Sequence, residues 1–386
     1  MPIRNRIADM APEIAAWRQH LHRRPELGFD THETSAFVAD KLREIGCDDV
    51  VTGIGRTGVV GLIHGKGGPG RCVGLRADMD ALPITEATGA AYASEVRGKM
   101  HACGHDGHTA MLLGAARYLA ETRAFGGTVA VIFQPAEEGG GGGEVMVQDG
   151  MMDRFGIEEV YGMHNWPGLP LGSFAIRAGA FFAATDVFEI DVIGQGGHAA
   201  KPHETIDATV VAAEIVGALQ TIASRVADPT KQVVVSVTSF ETSSTAFNVI
   251  PGRVHMKGTV RTLEPEVQDM AEARIARIAE GIAGAHGAEA QVRYERNYPV
   301  MANHHTETAY AAEAARAVAG DCAAADLVMG GEDFAYMLEA RPGAYILVGN
   351  GDTAPLHSAK FDFDDNAIPA GVSYWATLVE QRLPAA

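Results

Sequence analysis

The fold is decided by two stretches of sequence, RCVGLRADMD at residues 71–80 and GHTAMLLGAARYLAETRAFGGTVAVIF at residues 107–133. The first predicts a strand over Arg71–Arg76, and the second predicts a helix over Gly107–Glu121 followed by a strand over Thr128–Phe133. Alternation of strands and helices indicates an α/β layer with a largely parallel sheet. In such sheets, ligand sites collect at the carboxyl ends of the strands.

Acidic and imidazole side chains follow three of the predicted strands. Asp78 and Asp80 follow the first, Glu137 and Glu138 follow the second, and His164 follows a third apolar segment. Because the carboxyl ends of parallel strands meet at one edge of a sheet, we expect these side chains to converge there.

A second domain is predicted to be inserted into the first. After Thr185 the pattern becomes β-α-β-β-α-β, which is the ferredoxin-like split motif. Its predicted elements are Val187–Val192, Asp207–Val226, Gln232–Thr238, Gly252–Thr262, Glu266–Ala285 and Ala290–Arg296. The sequence therefore predicts a first domain over residues 1–184 and 297–386, and an inserted domain over residues 185–296.

Composition excludes several classes of partner. The 386 residues include 31 Lys and Arg against 49 Asp and Glu, a formal net charge of −18, which repels nucleic acid and anionic lipid. The best apolar stretch, Thr209–Val226, is interrupted by Glu214 and Arg225, so no membrane span is predicted. The first residues lack the apolar core of a signal peptide, and four cysteines do not make a disulfide scaffold. We therefore expect a cytoplasmic protein.

The densest group of reactive side chains is MHACGHDGH at residues 100–108. Thiolate and imidazole are the preferred ligands of zinc and similar divalent ions, so this segment is a candidate metal site. Three other interpretations stay open on this motif alone. It could be a helix-start turn with Asp106 as the N-cap residue, a nucleophile pair of Cys103 with a histidine, or a structural zinc site.

A second cluster, QPAEEG at residues 134–139, places two carboxylates between an apolar strand and a run of glycines. Adjacent side chains at a strand end diverge, so Glu138 could bind a metal ion while Glu137 activates water. The alternative is a solvated turn. His164 and His357 complete a set of five candidate ligands, which is enough for two ions that share one ligand. Asp80 is placed to orient one of these ligands. The five candidate ligands are Cys103, His105, Glu138, His164 and His357.

Further motifs extend along nearly the whole chain. They are HRRPEL at 22–27, RADMDALP at 76–83, GGHAAKPH at 196–203, FNVIP at 247–251, GTVR at 258–261 and GEDF at 331–334. Together with the two clusters, they resemble the amidohydrolase branch of the two-metal exopeptidases, which includes hippurate hydrolase, N-acyl-amino-acid amidohydrolases and plant auxin-conjugate hydrolases. The resemblance implies an aminopeptidase-like mixed-sheet catalytic domain and an inserted α+β domain that serves as a lid and dimerises.

The resemblance also implies roles for individual residues. Cys103 is similar to a thiolate that bridges two divalent ions (Zn, Mn, Co or Ni). His105 and His164 would bind one ion, and Glu138 and His357 the other. Glu137 resembles the general base that activates water and then protonates the leaving amine.

Three residues of the inserted domain match the family's substrate-binding groups. His198 is similar to a residue that reaches a partner subunit's active site and steadies the oxyanion. Asn248 and Arg261 resemble the groups that hold the free carboxylate of the substrate, and an arginine can bind a carboxylate through two hydrogen bonds.

The expected function is metal-dependent hydrolysis of the linear amide of N-acyl amino acids, of the hippurate or N-acetyl type, by a homodimer or higher homo-oligomer. One alternative is a dipeptidase or carboxypeptidase on the same two-metal scaffold. Another is a non-catalytic protein that binds acyl amino acids. A thiol hydrolase that uses Cys103 is a further alternative.

Overall fold

The computed structural model describes residues 5–385 of the chain. In chain order the α-helices are α1 (Asn5–Arg23), α2 (His32–Ile45), α3 (His105–Thr122), α4 (Gly142–Gln148), α5 (Met151–Arg154), α6 (Ala208–Leu219), α7 (Pro265–Ala285), α8 (His305–Ala319), α9 (Phe334–Ala340) and α10 (Ile368–Arg382). The strands are β1 (Asp49–Ile54), β2 (Gly58–His64), β3 (Cys72–Asp78), β4 (Thr128–Gln134), β5 (Ile157–Trp166), β6 (Phe174–Ile176), β7 (Gly179–Phe182), β8 (Ala184–Ile193), β9 (Gly197–His198), β10 (Val233–Thr242), β11 (Val249–Ile250), β12 (Arg253–Thr262), β13 (Glu289–Arg296), β14 (Met301–Asn303), β15 (Ala323–Ala324) and β16 (Gly343–Gly349).

The chain forms two compact units. The first comprises the chain up to Gly179, Ala302–Asp326 and the chain from Asp333 onward, and the second comprises Ala180–Met301 and Leu327–Glu332. The short segment Leu327–Glu332 joins the second unit because the backbone N–H of Ala183 donates to the carbonyl of Val328 at 3.0 Å. No local sequence pattern marks a contact between residues so far apart in the chain.

The first unit contains an eight-stranded sheet in the order β1-β2-β4-β3-β5-β16-β6-β15. Its four central strands, β4, β3, β5 and β16, run parallel to one another. In contrast, β2 pairs antiparallel with β4, and β6 pairs antiparallel with β16. The predicted mixed sheet with a parallel centre is therefore confirmed.

Burial explains the composition of the central strands. Every residue of β3 and of β16 is buried, which requires near-continuous apolar runs. The two charged residues of β3 satisfy each other, because Arg76 Nη1 donates to Asp78 Oδ2 at 2.6 Å. The helix α3, which connects the parallel strands β3 and β4, is likewise buried along most of its length.

The paired glutamates and Asp80 follow their strands as predicted, whereas Asp78 is itself the last residue of β3. The strand β4 ends three residues before Glu137. The strand β5, however, continues to Trp166, so the expectation that His164 follows a strand is wrong. His164 stays in the ladder because it pairs with Leu347 of β16, a partner far away in the sequence.

The second unit is built on a four-stranded antiparallel sheet in the order β10-β12-β8-β13. A β-α-β-β-α-β chain with this strand order has the split-motif connectivity that the sequence predicts. The apolar sides of α6 and α7 pack on the sheet to form a core of their own. The short strands β9 and β11 form a separate two-stranded ribbon.

The helix predicted over Asp207–Val226 is interrupted. Asp207 caps its start, because Oδ1 accepts from the backbone N–H of Thr209 at 2.9 Å. The α-helix ends at Leu219, and a π-helical turn over Ile222–Val226 follows. By length and composition alone, Ala208–Val226 could cross a membrane, with a mean hydropathy of 1.3, but a single helix of this kind is weak evidence for a span.

Candidate functional site

The site is built around the loop that leads into α3. Gly104 is the N-cap residue and has a left-handed backbone with φ 88°, and the helix begins at His105. The start of α3 therefore lies two residues before the predicted one. As a result, His105 and His108 both lie in the first turn of α3, three residues apart on one face.

The motif does contain a helix start, but Asp106 is not its N-cap residue, so that part of the interpretation is wrong. Its carboxylate is buried inside the first turn of α3. There Oδ2 lies 2.8 Å from Nδ1 of His22 and 3.5 Å from Nη1 of Arg18. Two basic side chains from α1 thus draw this carboxylate away from the backbone N–H groups that it would otherwise cap.

The structure brings all five candidate ligands together. They form two groups, and within each group the possible ligand atoms lie within 4.8 Å of one another. One group is Cys103, His105 and His164, and the other is Cys103, Glu138 and His357. The thiol of Cys103 is the member that the two groups share.

In the first group, the orientation of His164 follows from its hydrogen bond. His164 Nδ1 lies 2.5 Å from the carbonyl oxygen of Asn165, and because a carbonyl only accepts, Nδ1 carries the proton. The lone pair is therefore on Nε2, which lies 3.4 Å from Cys103 Sγ. An imidazole with a free lone pair next to a thiol is a suitable pair of metal ligands.

In the second group, His357 Nε2 lies 3.3 Å from Glu138 Oε1. His357 has a left-handed backbone with φ 63°, a sparsely populated conformation for a residue other than glycine. Its backbone N–H donates to the carbonyl of Ala102 at 2.8 Å, which holds it beside the Cys103 loop. Strained backbone of this kind clusters at functional sites.

Asp80 anchors the turn that carries the paired carboxylates. Its Oδ1 accepts from the backbone N–H of Glu137 at 3.0 Å, and its Oδ2 accepts from that of Glu138 at 3.1 Å. Oδ1 also lies 3.4 Å from Nδ1 of His105. Asp80 thus lies next to a candidate ligand and also fixes the direction in which both glutamates leave the chain.

Burial and charge set the protonation of the site. Burial raises the pKa of the Cys103 thiol well above its ordinary value, and Glu138 and Glu137 raise it further. Burial by itself would lower the pKa of His105, but Asp78 and Asp80 raise it to about 10. A thiol with a raised pKa is a poor nucleophile, which argues against a thiol hydrolase. The excess of carboxylate groups around Cys103 and His105 favours the binding of cations at this site.

The donor atoms fit divalent cations. Among the described residues, neither ring nitrogen of His105 nor Oε1 of Glu138 has a hydrogen-bond partner, although all three atoms are buried. Unpaired buried polar atoms are costly, and cations bound by one ring nitrogen of His105 and by Glu138 would satisfy two of these three atoms. A set of one thiolate, three imidazoles and one carboxylate suits Zn, Co or Ni, and the carboxylate also admits Mn.

In a third group of possible ligands, Asp78, His105 and His108, the carboxylate of Asp78 and the ring of His108 are already paired. His108 Nδ1 lies 2.6 Å from Asp78 Oδ1, and Arg76 takes the other carboxylate oxygen. His108 Nε2 accepts from the backbone N–H of Asn165 at 2.8 Å. Sequence reasoning did not single out His108 or Asn165, both of which lie beside the candidate ligands. The spacing of His105 and His108 in the first turn of a helix was the available signal for the former.

The three substrate-binding candidates belong to the second unit. His198 lies on β9 and pairs with Val249 of β11, and the backbone N–H of Ala199 donates to the carbonyl of Asn248 at 3.0 Å. His198 and Asn248 therefore share one ribbon. Arg261 is half-buried on β12, where burial lowers the pKa of its guanidinium.

Comparison with known proteins identifies relatives along the full chain. Residues 74–381 match the profile described as Peptidase family M20/M25/M40. The chain is 40% identical over 380 residues to hippurate hydrolase of Campylobacter jejuni, with 98% of both chains covered. It is 38% identical over 386 residues to thermostable carboxypeptidase 2 of Saccharolobus solfataricus, with 97% of both covered. The crystal structure of a Bacillus subtilis protein, titled a dinuclear metal binding peptidase from the M20 family, superposes with a TM-score of 0.85 at 34% identity over 98% of this chain and 100% of that one.

Proposed function

The chain belongs to the M20/M25/M40 peptidase family, and from this premise we propose that it is a metal-dependent amidohydrolase that splits N-acyl amino acids into a carboxylic acid and a free amino acid. The observation that carries the proposal is the pair of ligand groups that meet at Cys103. Hippurate is N-benzoylglycine, so the relative from Campylobacter jejuni acts on a molecule of this class.

The five residues of these groups would hold two divalent cations. We assign His105 and His164 to one ion, Glu138 and His357 to the other, and Cys103 to both. When bound, such ions supply Lewis acidity that polarises the scissile carbonyl group and makes water a stronger acid.

Glu137 is assigned the proton transfers. It is buried beside Glu138 and leaves the turn that Asp80 anchors through two backbone N–H groups. A carboxylate fixed in this way can take a proton from the attacking water and pass it to the departing amine. Glu138 is assigned to a cation, so the two adjacent carboxylates would have separate tasks.

His198 is assigned to the oxyanion. Its Nδ1 accepts from the backbone N–H of Ala200 at 3.1 Å, and because a backbone N–H only donates, neutral His198 carries its proton on Nε2. That N–H is a suitable donor to the developing negative charge. Asn248 and Arg261 are assigned to the carboxylate of the amino-acid part of the substrate, where a guanidinium can form two parallel hydrogen bonds.

The assembly that we propose is a homodimer in which the second unit serves as lid and dimerisation domain. The strand β10 lies at an edge of its sheet and exposes Val234 and Phe240, and Val210 on α6 is 56% exposed. Exposed apolar side chains next to an unpaired strand edge favour association with another copy. If His198 acts across the dimer, a mixture of inactive Glu137→Gln and His198→Ala subunits regains activity through hybrid sites.

A cytoplasmic location accompanies this proposal. All four cysteines are free thiols, and Cys103 must stay reduced in order to bind metal. Reducing compartments maintain such thiols.

A carboxypeptidase or dipeptidase activity is the second candidate. The relative from Saccharolobus solfataricus, named thermostable carboxypeptidase 2, is almost as similar as the hippurate hydrolase. Both reactions cleave an amide next to an amino acid with a free carboxylate. They differ in whether the group on the other side is a simple acyl group or a residue with a free amine.

The test is amine release from hippurate, from N-acetyl- and indole-acetyl-amino acids, and from dipeptides, with chelator and with added Zn or Mn. We expect chelator-sensitive turnover that metal restores, with N-acyl amino acids preferred over dipeptides. The variant Glu137→Gln is expected to keep both ions and to lose activity by about 100-fold or more. Glu144→Gln, the same change seven residues further along, is the control. Turnover that survives in Glu137→Gln would contradict the assignment of the base, and preference for dipeptides would favour the second candidate.

A further inference from the structure

A continuous line of buried hydrogen bonds connects Asp78 with the metal-binding loop. It passes from Asp78 to His108, from His108 to Asn165, and from the side chain of Asn165 to the backbone carbonyl of Cys103. We propose that His108 and Asn165 are positioning residues that fix the separation between the Cys103 thiol and the His164 imidazole. This inference rests on the metal centre proposed above.

The direction of each bond is determined by groups that can only donate or only accept. The backbone N–H of Asn165 only donates, so His108 Nε2 must be an acceptor. The proton of neutral His108 therefore lies on Nδ1, which donates to Asp78 Oδ1 at 2.6 Å. Both nitrogens are used in this way, so His108 orients other groups and does not bind a cation itself.

Asn165 connects the two segments that carry ligands. Its Nδ2 donates to the carbonyl of Cys103 at 2.6 Å and lies 2.9 Å from His108 Nε2. Its own carbonyl accepts from His164 Nδ1, which directs His164 Nε2 toward Cys103. One residue thus orients the imidazole through its main chain and holds the thiol-bearing loop through its side chain.

The end of this chain of hydrogen bonds that lies away from Cys103 is held by buried ion pairs. Asp78 is fully buried, and its second oxygen accepts from Arg76 at 2.6 Å. Arg76 in turn donates to Asp333 at 2.9 Å. His108 is therefore anchored to a buried ion pair on the central strand β3 rather than to a surface group. Partners that orient metal ligands in this manner raise metal affinity by about 10–100-fold.

The test is a titration of the metal-free protein with Co²⁺, followed by the thiolate-to-cobalt absorption band and the visible ligand-field bands. The variant Asn165→Asp keeps the shape of the side chain but removes the N–H groups that hold the Cys103 carbonyl. We expect its Co²⁺ affinity to fall by about 10–100-fold and its bands to shift. Asn303→Asp is the matched control, because buried Asn303 also donates to two backbone carbonyls, both at 2.8 Å, but away from the ligands.

Two substitutions of His108 distinguish the roles of its two hydrogen bonds, the one to Asn165 and the one to Asp78. The amide of Gln reaches the place of Nε2 and keeps the acceptor for Asn165, whereas the amide of Asn reaches only the place of Nδ1. We expect His108→Gln to stay within about threefold of the wild-type affinity and His108→Asn to lose about 10–100-fold. If Asn165→Asp does not fold, this pair decides the question.

The outcomes are distinct. Wild-type protein that binds no Co²⁺ at a thiolate overturns the metal centre, and this inference falls with it. Wild-type binding with unchanged affinity and spectra in Asn165→Asp and His108→Asn overturns the positioning role alone. An equal loss in Asn303→Asp also overturns it, because general loosening of the unit would then suffice.

Discussion

The substitution His22→Asn is expected to make the stability of the protein depend differently on pH. His22 is buried at the end of α1, with Nδ1 2.8 Å from Asp106 Oδ2 and Nε2 3.4 Å from Glu86 Oε2. Asparagine retains a donor near the place of Nδ1 but carries no charge. The substitution therefore removes the ion pairing while it keeps one hydrogen bond to Asp106.

The magnitude follows from the pKa of the imidazole. Burial and the nearby Arg18 lower the pKa of His22, but Asp106 and Glu86 outweigh them and raise it from the ordinary 6.5 to about 9. At 1.36 kcal/mol per pKa unit, this difference corresponds to about 3 kcal/mol of folding free energy. Because the folded pKa is the higher one, the contribution is complete below pH 6.5 and disappears as the pH rises through 9.

The assay is the free energy of unfolding in urea at pH 6 and at pH 9.5. The difference between wild type and His22→Asn should shrink by about 3 kcal/mol between the two values. Metal binding affects both proteins alike, since the substitution leaves the candidate ligands in place. His255→Asn is the control, because His255 lies 2.8 Å from Asp191 at a more exposed position, where a pair contributes under about 1 kcal/mol. A difference that stays constant with pH would refute the reasoning.

Three further outcomes are expected. Gly104→Ala places a Cβ 2.2 Å from the side-chain amide nitrogen of Asn165 on a left-handed backbone, so the free energy of unfolding should fall by about 2–4 kcal/mol. Gly217→Ala, in an open helical position, is the control and should raise it by about 0.5–1 kcal/mol, so similar effects of the two changes would contradict the packing. Arg76→Met leaves buried carboxylates without their cation and should cost about 3–5 kcal/mol in urea unfolding, so a neutral effect would show that the ion pair is dispensable. His357→Ala should reduce the metal content by elemental analysis from two ions to one per chain, and an unchanged content would exclude it as a ligand.

The helices and strands were largely predictable because each produces a local spacing of apolar residues in the sequence. The helix α1 has apolar residues at helical spacing, and Ile7, Met10, Ile14, Trp17 and Leu21 all lie on its buried side. Boundaries were less accurate where a distant partner decides them. The strand β5 extends through His164 because β16, almost two hundred residues later, pairs with it.

The candidate ligands were predictable because thiol, imidazole and carboxylate groups are easily recognised in a sequence. The resemblance to the two-metal exopeptidases then indicated which ligands would share an ion. The residues that hold the ligands in place were not. Asn165 and His108 lie 57 positions apart in the chain, and an asparagine after a histidine has no chemical signature. Asp106 was misread because its partners, His22 and Arg18, lie on another helix. Such contacts exist only after the chain has folded.

The path of the chain through the large sheet has a consequence for synthesis on the ribosome. The second unit consists mainly of one continuous segment, so it can fold as soon as that segment emerges. The first unit must wait, because β16 is one of its central strands and His357 comes later still. A nascent or prematurely terminated chain that lacks these residues would present an incomplete ligand set and an open strand edge. Assembly of the candidate ligand set is therefore coupled to completion of the polypeptide, and incomplete chains are the species most exposed to aggregation and proteolysis.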